Sequence, residues 1–215
     1  MTTRWSCTAC GEEQIAWSAV PEDGRCNACR ERLAAVSAAE REAEIPARYR
    51  GYTRESWSAA FRREWPARIA AWTGTPHWLA IWGPTGTGKT GLATVLLAEH
   101  VRAGRRGRWV SGALLADKIR QDFRSDNDPL APYRATGLLV LDEPLAAAGA
   151  DWYLERLGLL CRLRDERGLP TIVTAQQLTE LLDTTPPGGP PALLSRWLSG
   201  VRLHLKGDDV RLGAR

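Results

Sequence analysis

Residues 78–90, WLAIWGPTGTGKT, pass from five apolar residues into a turn with glycines at 83, 86 and 88, followed at once by Lys89 and Thr90. No other stretch limits the fold as much. The apolar run suits a short buried strand, and GLATVLLAEHV beyond the turn suits a helix. Strand, glycine loop and helix therefore come in the order that a phosphate-binding loop requires. Gly83, Gly88, Lys89 and Thr90 match its fixed positions, with Pro84, Thr85, Gly86 and Thr87 between them. Glycines let the backbone turn so that successive N–H groups point inward at phosphate oxygens. The helix that follows aims its positive end at the same anion. The cradle is expected to span Gly83 to Gly91, with Lys89 on the β- and γ-phosphates and Thr90 on Mg²⁺. These residues imply a nucleoside triphosphate but not what its hydrolysis serves.

The run LLVLDE (138–143) supplies an acidic partner. An aliphatic strand ending in an acid puts Asp142 at the carboxyl edge of a parallel sheet, where ligands bind in open α/β folds. Asp142 is the expected Mg²⁺ residue. Glu143, directly after it, can polarise an attacking water, which favours hydrolysis over transfer to a substrate. In TIVTAQQL (171–178), Gln176 is the candidate to sense the γ-phosphate from the tip of its strand, with Thr174 beside it. A plain helix cap is the competing reading.

The rest of the chain reads as strands at 107–111, 137–143, 170–176, 201–205 and 209–212, alternating with helices at 88–103, 112–123, 151–168 and 192–200. Earlier come helices at 31–44 and 54–72, the second kinked or split by Pro66. Such alternation predicts an α/β fold, a parallel sheet with helices on both faces. Ten Trp against two Phe are read mainly as core or interface residues.

Cys7, Cys10, Cys26 and Cys29 form two Cys-x2-Cys pairs separated by 15 residues. Each pair can aim two thiolates at one ion, and two pairs complete a tetrahedron, so structural Zn²⁺ is expected here. Free thiols or a redox pair are the competing readings. A segment this short has little core of its own and would draw its folding energy from the metal. Cys161, alone on an apolar helix, reads as core. The predicted division is a zinc-ribbon-like module with a linker helix over 1–44 and an ATPase domain over 45–215.

No run of apolar residues is long enough to cross a membrane, and MTTRWSCTAC lacks a signal-peptide core, which gives a cytoplasmic expectation. A net charge of +4 permits nucleic-acid contact without requiring it. The basic loop RAGRRGRW (102–109) reads either as a phosphate contact or as a soluble turn.

The elements IPARYRGYT, WGPTGTGKTGLA, LLADKIRQDFRSDN, LLVLDEP, TIVTAQQL and ALLSRWLSGVRLHLKGDDVRL, taken in order over residues 45–213, resemble the DnaC-type helicase loaders. The IstB-like transposition ATPases share most of this core, and both lie in the initiator branch of the AAA+ ATPases. The resemblance implies a five-stranded AAA+ P-loop core that uses ATP and Mg²⁺. It implies that Arg196 is an arginine finger reaching a neighbouring subunit's nucleotide, so that copies self-associate through the ATP site. It implies Arg211 as a second sensor arginine, and single-stranded DNA on the helix 112–123, with Lys118, Arg120 and Arg124 as contacts. The partner implied is a replicative helicase. A surface arginine or a solvated helix face is the competing reading for each cation. Pro144-Leu145 replace the small residue and glycine found after the acids in these loaders, and Gln176 stands where Asn is frequent, so the expected turnover is slow and switch-like. A transposition helper acting on duplex DNA, a nucleotide-binding adaptor with little turnover and, less supported, a small-molecule kinase are the alternatives.

Overall fold

The computed structural model describes residues 2–16, 19–122, 128, 130–147, 151–176 and 191–207. Two short antiparallel strands, β1 (Thr3–Ser6) and β2 (Glu13–Ala16), form a hairpin that carries the first cysteine pair in its turn. Helix α1 (Asn27–Glu42) starts directly after Cys26, four residues ahead of the expected start. Cys29 therefore sits in its first turn. That segment has no apolar stripe to announce a helix.

Five strands follow: β3 (Trp78–Trp82), β4 (Gly107–Ser111), β5 (Leu138–Asp142), β6 (Thr171–Ala175) and β7 (Val201–His204). They form one all-parallel sheet in the order β4-β5-β6-β3-β7. The expected strand at 209–212 and the proline-glycine segment 184–190 lie outside the described residues.

Alternation along the strands divides the core into two layers. Leu79, Ile81, Leu138, Val140 and Ile172 face one side, packed with α4 (Lys89–Arg102) and with Trp57 and Ile69. Trp78, Leu139, Leu141 and Val173 face the other, against α5 (Gly112–Asp122), α7 (Asp151–Glu166) and α8 (Pro191–Ser199). Cys161 is buried in this second layer, as expected.

The predicted helix over 54–72 is split. Helix α2 (Arg54–Phe61) opens on a Thr53–Ser56 capping box and closes where Arg62 turns left-handed, ahead of Pro66. Pro66 instead starts the single turn α3 (Ala67–Ala70). The end of α1 packs into the core around the parallel sheet. Buried Glu40 accepts from Arg102 Nη2 at 2.6 Å and from the Gly51 N–H at 2.9 Å, and the Trp109 N–H donates to Ala43 at 2.8 Å. The chain on either side of residue 44 is thus in direct contact.

Arg164 is wholly buried with no carboxylate partner in the described residues. Its guanidinium donates to the carbonyls of Tyr133, Thr136 and Pro170 and to the Thr171 hydroxyl, at 2.7–2.9 Å. These partners come from α6 (Ala131–Ala135), the approach to β5 and the start of β6. Burial pulls its pKa down to about 10, and the cation is held by neutral dipoles, three carbonyls and one hydroxyl. Loss of the head group strands several buried acceptors at about 1–3 kcal/mol each. Arg164→Met is therefore expected to destabilise the protein by about 3 kcal/mol or more in urea unfolding, with Arg164→Lys intermediate because an ammonium cannot span all four acceptors.

Candidate functional site

The phosphate loop joins β3 to α4. Gly83, Gly86 and Gly88 all take positive φ (147°, 77° and 94°), conformations that a side chain resists. At Gly83 a Cβ would also collide with the Leu205 carbonyl. Behind the loop, the indole N–H of Trp57 donates to the Gly88 carbonyl at 2.9 Å, and Phe61 lies against Gly88 and Gly91. Helix α2 thus braces the turn from outside. The buried Thr87 hydroxyl donates to the Pro84 carbonyl at 2.8 Å. Lys89 is almost fully buried and donates to the Gly83 and Pro84 carbonyls at 2.8 and 2.9 Å. Its ammonium is held within the turn that it would serve.

Thr85, Gly86, Gly88, Lys89, Thr90, Asp142, Glu143 and Gln176 line one cleft of about 250 Å³ at the carboxyl edge of the sheet. The two acids are organised by hydroxyls. Asp142 Oδ1 accepts from Thr90 Oγ1 at 2.8 Å and from Thr174 Oγ1 at 2.7 Å. Burial raises the Asp142 pKa, and the two threonine hydrogen bonds oppose that rise. Thr174 Oγ1 also accepts the Glu143 N–H at 2.9 Å. Glu143 takes φ +47°, a left-handed conformation that costs a non-glycine residue about 1–2 kcal/mol. That turn brings its carboxylate into the same cleft as Lys89 instead of letting β5 run on.

Sequence reasoning ranked Gln176 ahead of Thr174. Gln176 does line the cleft, but it is the buried Thr174 that ties the acids together. Arg48 and Tyr49 line the same cleft without having been singled out; they lie in a single 3-10 turn (Ala47–Tyr49) ahead of α2, where IPARYRGYT reads as extended, and Arg48 Cζ lies 4.7 Å over the Tyr49 ring. The signal was IPARYRGYT itself, whose sequence does not say that the segment folds over the loop.

Arg196 is not in this cleft. It donates to Asp165 Oδ2 at 3.1 Å, and Asp165 Oδ1 also accepts from the Trp78 indole at 2.7 Å and contacts His77 at 2.8 Å. Those two residues open β3, whereas the phosphate loop follows its end. Arg196 thus sits at the opposite edge of the sheet, a strand length of roughly 16 Å away. Lys118 pairs with Glu44 at 3.5 Å, beside Arg108 and Tyr133, and Arg120 pairs with Asp117 at 2.7 Å. Arg124 and Arg211 lie outside the described residues.

The four N-terminal cysteines converge as expected, with every pair of sulfurs within 4.8 Å. Cys10 and Cys26 Sγ are 3.9 Å apart, which matches the ~3.8 Å edge of a tetrahedron built on Zn–S bonds of ~2.3 Å. The Cys26 and Ala9 N–H groups donate to Cys7 Sγ at 3.3 and 3.4 Å, and the first of these leads in drawing its pKa down to about 6. Cys29, crowded by the Cys26 and Cys10 thiols, is pushed up to about 12. Four sulfurs packed so closely repel one another as thiolates. A divalent cation of zinc's size fits among them and would lock the hairpin to the start of α1.

Two outcomes follow from this geometry. Thr174→Val keeps the shape but removes both hydroxyl contacts. It is expected to weaken Mg²⁺-dependent nucleotide binding about tenfold, read by titration calorimetry with and without Mg²⁺, while leaving the melting temperature within a few degrees. Metal analysis is expected to find one zinc per chain, and Cys26→Ser to abolish it and make β1, β2 and the first turns of α1 protease-sensitive.

No protein-family model matches the chain, and no functionally curated protein matches it in sequence. Solved structures do match in fold. A candidate primosome component from Streptococcus pyogenes serotype M3 superposes with a TM-score of 0.61 at 19% identity, over 81% of this chain and 96% of that one. The DnaC helicase loader gives 0.52 at 21% identity, over 65% and 84%. DnaA from Aquifex aeolicus, with AMPPCP bound, gives 0.54 at 22% identity over 62% of this chain. This chain spans 42% of the length of that DnaA. Together with the all-parallel five-stranded sheet and the glycine loop after β3, these likenesses establish the fold as an AAA+ P-loop core.

Proposed function

We propose that the chain is an ATP-dependent loader of a replicative DNA helicase, active in the initiation of replication. The observation that carries this reading is the division of the catalytic groups between the two edges of the sheet. Lys89, Thr90, Asp142 and Glu143 share one cleft, while Arg196 stands at the far edge, out of reach of it. A site with all its groups except the cation that stabilises transition-state charge is suited to completion by a neighbouring copy. Hydrolysis would then depend on assembly, and bound nucleotide would act as a switch.

The residues present fit ATP and Mg²⁺. The glycine loop and Lys89 would hold the phosphates, Thr90 and Asp142 would hold the metal, Glu143 would orient water, and Gln176 would sense the γ-phosphate. The cysteine cluster would hold zinc as a structural ion, and the chain would also hold single-stranded DNA. Ile15 and Leu33 on the N-terminal module are apolar and 57% and 48% exposed, which supports that module as the surface that meets the helicase. The fold likeness to the DnaC helicase loader points the same way.

Glu143→Gln is expected to keep ATP binding and lower turnover at least a hundredfold. Lys89→Ala and Arg196→Ala should each be inactive alone, but mixing the two should partly restore turnover, because one supplies the cleft and the other the arginine. No recovery on mixing, with both variants folded, would refute completion by a neighbour. The full chain should co-purify with a replicative helicase, and Ile15→Glu with Leu33→Glu should lose that capture at unchanged zinc content.

A further inference from the structure

A second concavity lies apart from the candidate nucleotide cleft. It is a groove of about 490 Å³ at the other edge of the sheet, between the last turn of α1 and α6, floored by Gly104–Arg108. Its floor is the turn from α4 into β4, and that turn is held firmly. The Gly104 N–H donates to Val101 at 3.0 Å, the Arg105 N–H to His100 at 3.3 Å, and the Arg106 carbonyl receives the Leu138 N–H at 3.1 Å. His100 Nε2 also lies 3.1 Å from the Arg106 carbonyl. Gly107 leaves no room for a Cβ, which would press on Leu97.

On this fixed turn the Arg105 and Arg106 side chains are exposed, and neither has a carboxylate or hydrogen-bond partner among the described residues. The neighbouring arginines are already engaged, Arg102 by Glu40 and Arg108 by Glu44. Glu42 is the one carboxylate in the lining, so the groove keeps a net positive charge. The cations first expected to meet DNA differ in this respect, since Lys118 is held by Glu44 and Arg120 by Asp117.

We infer that this groove, through Arg105 and Arg106, binds the sugar–phosphate backbone of single-stranded DNA. A buried cage of convergent donors would suit a single small anion; two free guanidiniums on the rim of an elongated groove suit a chain of phosphates. Among the described residues no aromatic side chain lines the groove, so bases have nothing there to stack on, and contact is confined to the backbone and indifferent to sequence. The inference rests on the reading that the chain holds single-stranded DNA, and it moves the contact from α5 to the turn between α4 and β4.

The test is fluorescence anisotropy of the full chain, loaded with a non-hydrolysable ATP analogue, on labelled oligo-dT over a range of salt. Arg105→Ala with Arg106→Ala is expected to weaken binding roughly tenfold and to reduce the slope of log K against log salt by about 1.4, two phosphate contacts' worth for a single strand. Arg68→Ala with Arg167→Ala, an equal charge change on exposed arginines elsewhere, should shift affinity less than about twofold. An unchanged salt slope in the Arg105/Arg106 variant, with wild type binding normally, overturns the groove while leaving single-strand binding in place. Failure of wild type to bind oligo-dT overturns both. Equal affinity for duplex, or stronger binding of polyglutamate than of oligo-dT, overturns the single-strand assignment. ATP turnover should be untouched by the Arg105/Arg106 pair, which separates this result from failure of the nucleotide site.

Discussion

The hydroxyl of Thr174 is the smallest group on which the cleft beside the glycine loop depends. It donates to Asp142 and accepts from the Glu143 backbone, so it joins the ends of two adjacent strands. Thr90 reaches the same carboxylate oxygen from the first turn of α4. Two hydroxyls on one buried oxygen oppose the penalty of placing an acid there. They also fix where that acid points. The left-handed turn at Glu143 is tolerable because its N–H is already committed to Thr174. A methyl in place of that hydroxyl would leave the sheet intact and the chemistry unaimed.

Much of this was readable before any coordinates. The glycine loop carries its own mechanism, because its spacing and its following Lys-Thr have few other uses. The unbroken apolar runs WLAIW and LLVLD, with TIVTA after them, yielded three central strands, since strands covered by helices on both faces read as continuous apolar stretches. The cysteine spacing yielded four converging sulfurs. What escaped is long-range. Arg164 looked like one basic residue among many, because its acceptors are three carbonyls and a hydroxyl scattered along the chain from Tyr133 to Thr171. Arg48 and Tyr49 became site residues only through the path of the backbone over the loop. Lys118 had the right charge and helix for DNA, yet Glu44, 74 residues away in sequence, holds it. Ion pairs of that kind have no periodicity to reveal them.

The N-terminal module is joined to the core by more than a tether. Buried Glu40 holds Arg102 and the Gly51 N–H, and Ala43 accepts a backbone hydrogen bond from the edge strand β4. Through α1, the cysteine cluster and the parallel sheet share one continuous helix, exposed in its middle turns and anchored at its end. A pull or tilt applied at the module would therefore be delivered to α4, the helix that begins at Lys89.

Placement of the cleft and of Arg196 on opposite edges of one sheet also gives the molecule a polarity. If Arg196 completes a neighbour's cleft, copies that repeat this pairing in one direction join head to tail in a row. A row built this way has two unlike ends. One end subunit keeps its arginine on Asp165 with nothing to act upon, and the other keeps a cleft that no arginine enters. In an open row of such subunits, the number of competent sites is always one fewer than the number of chains.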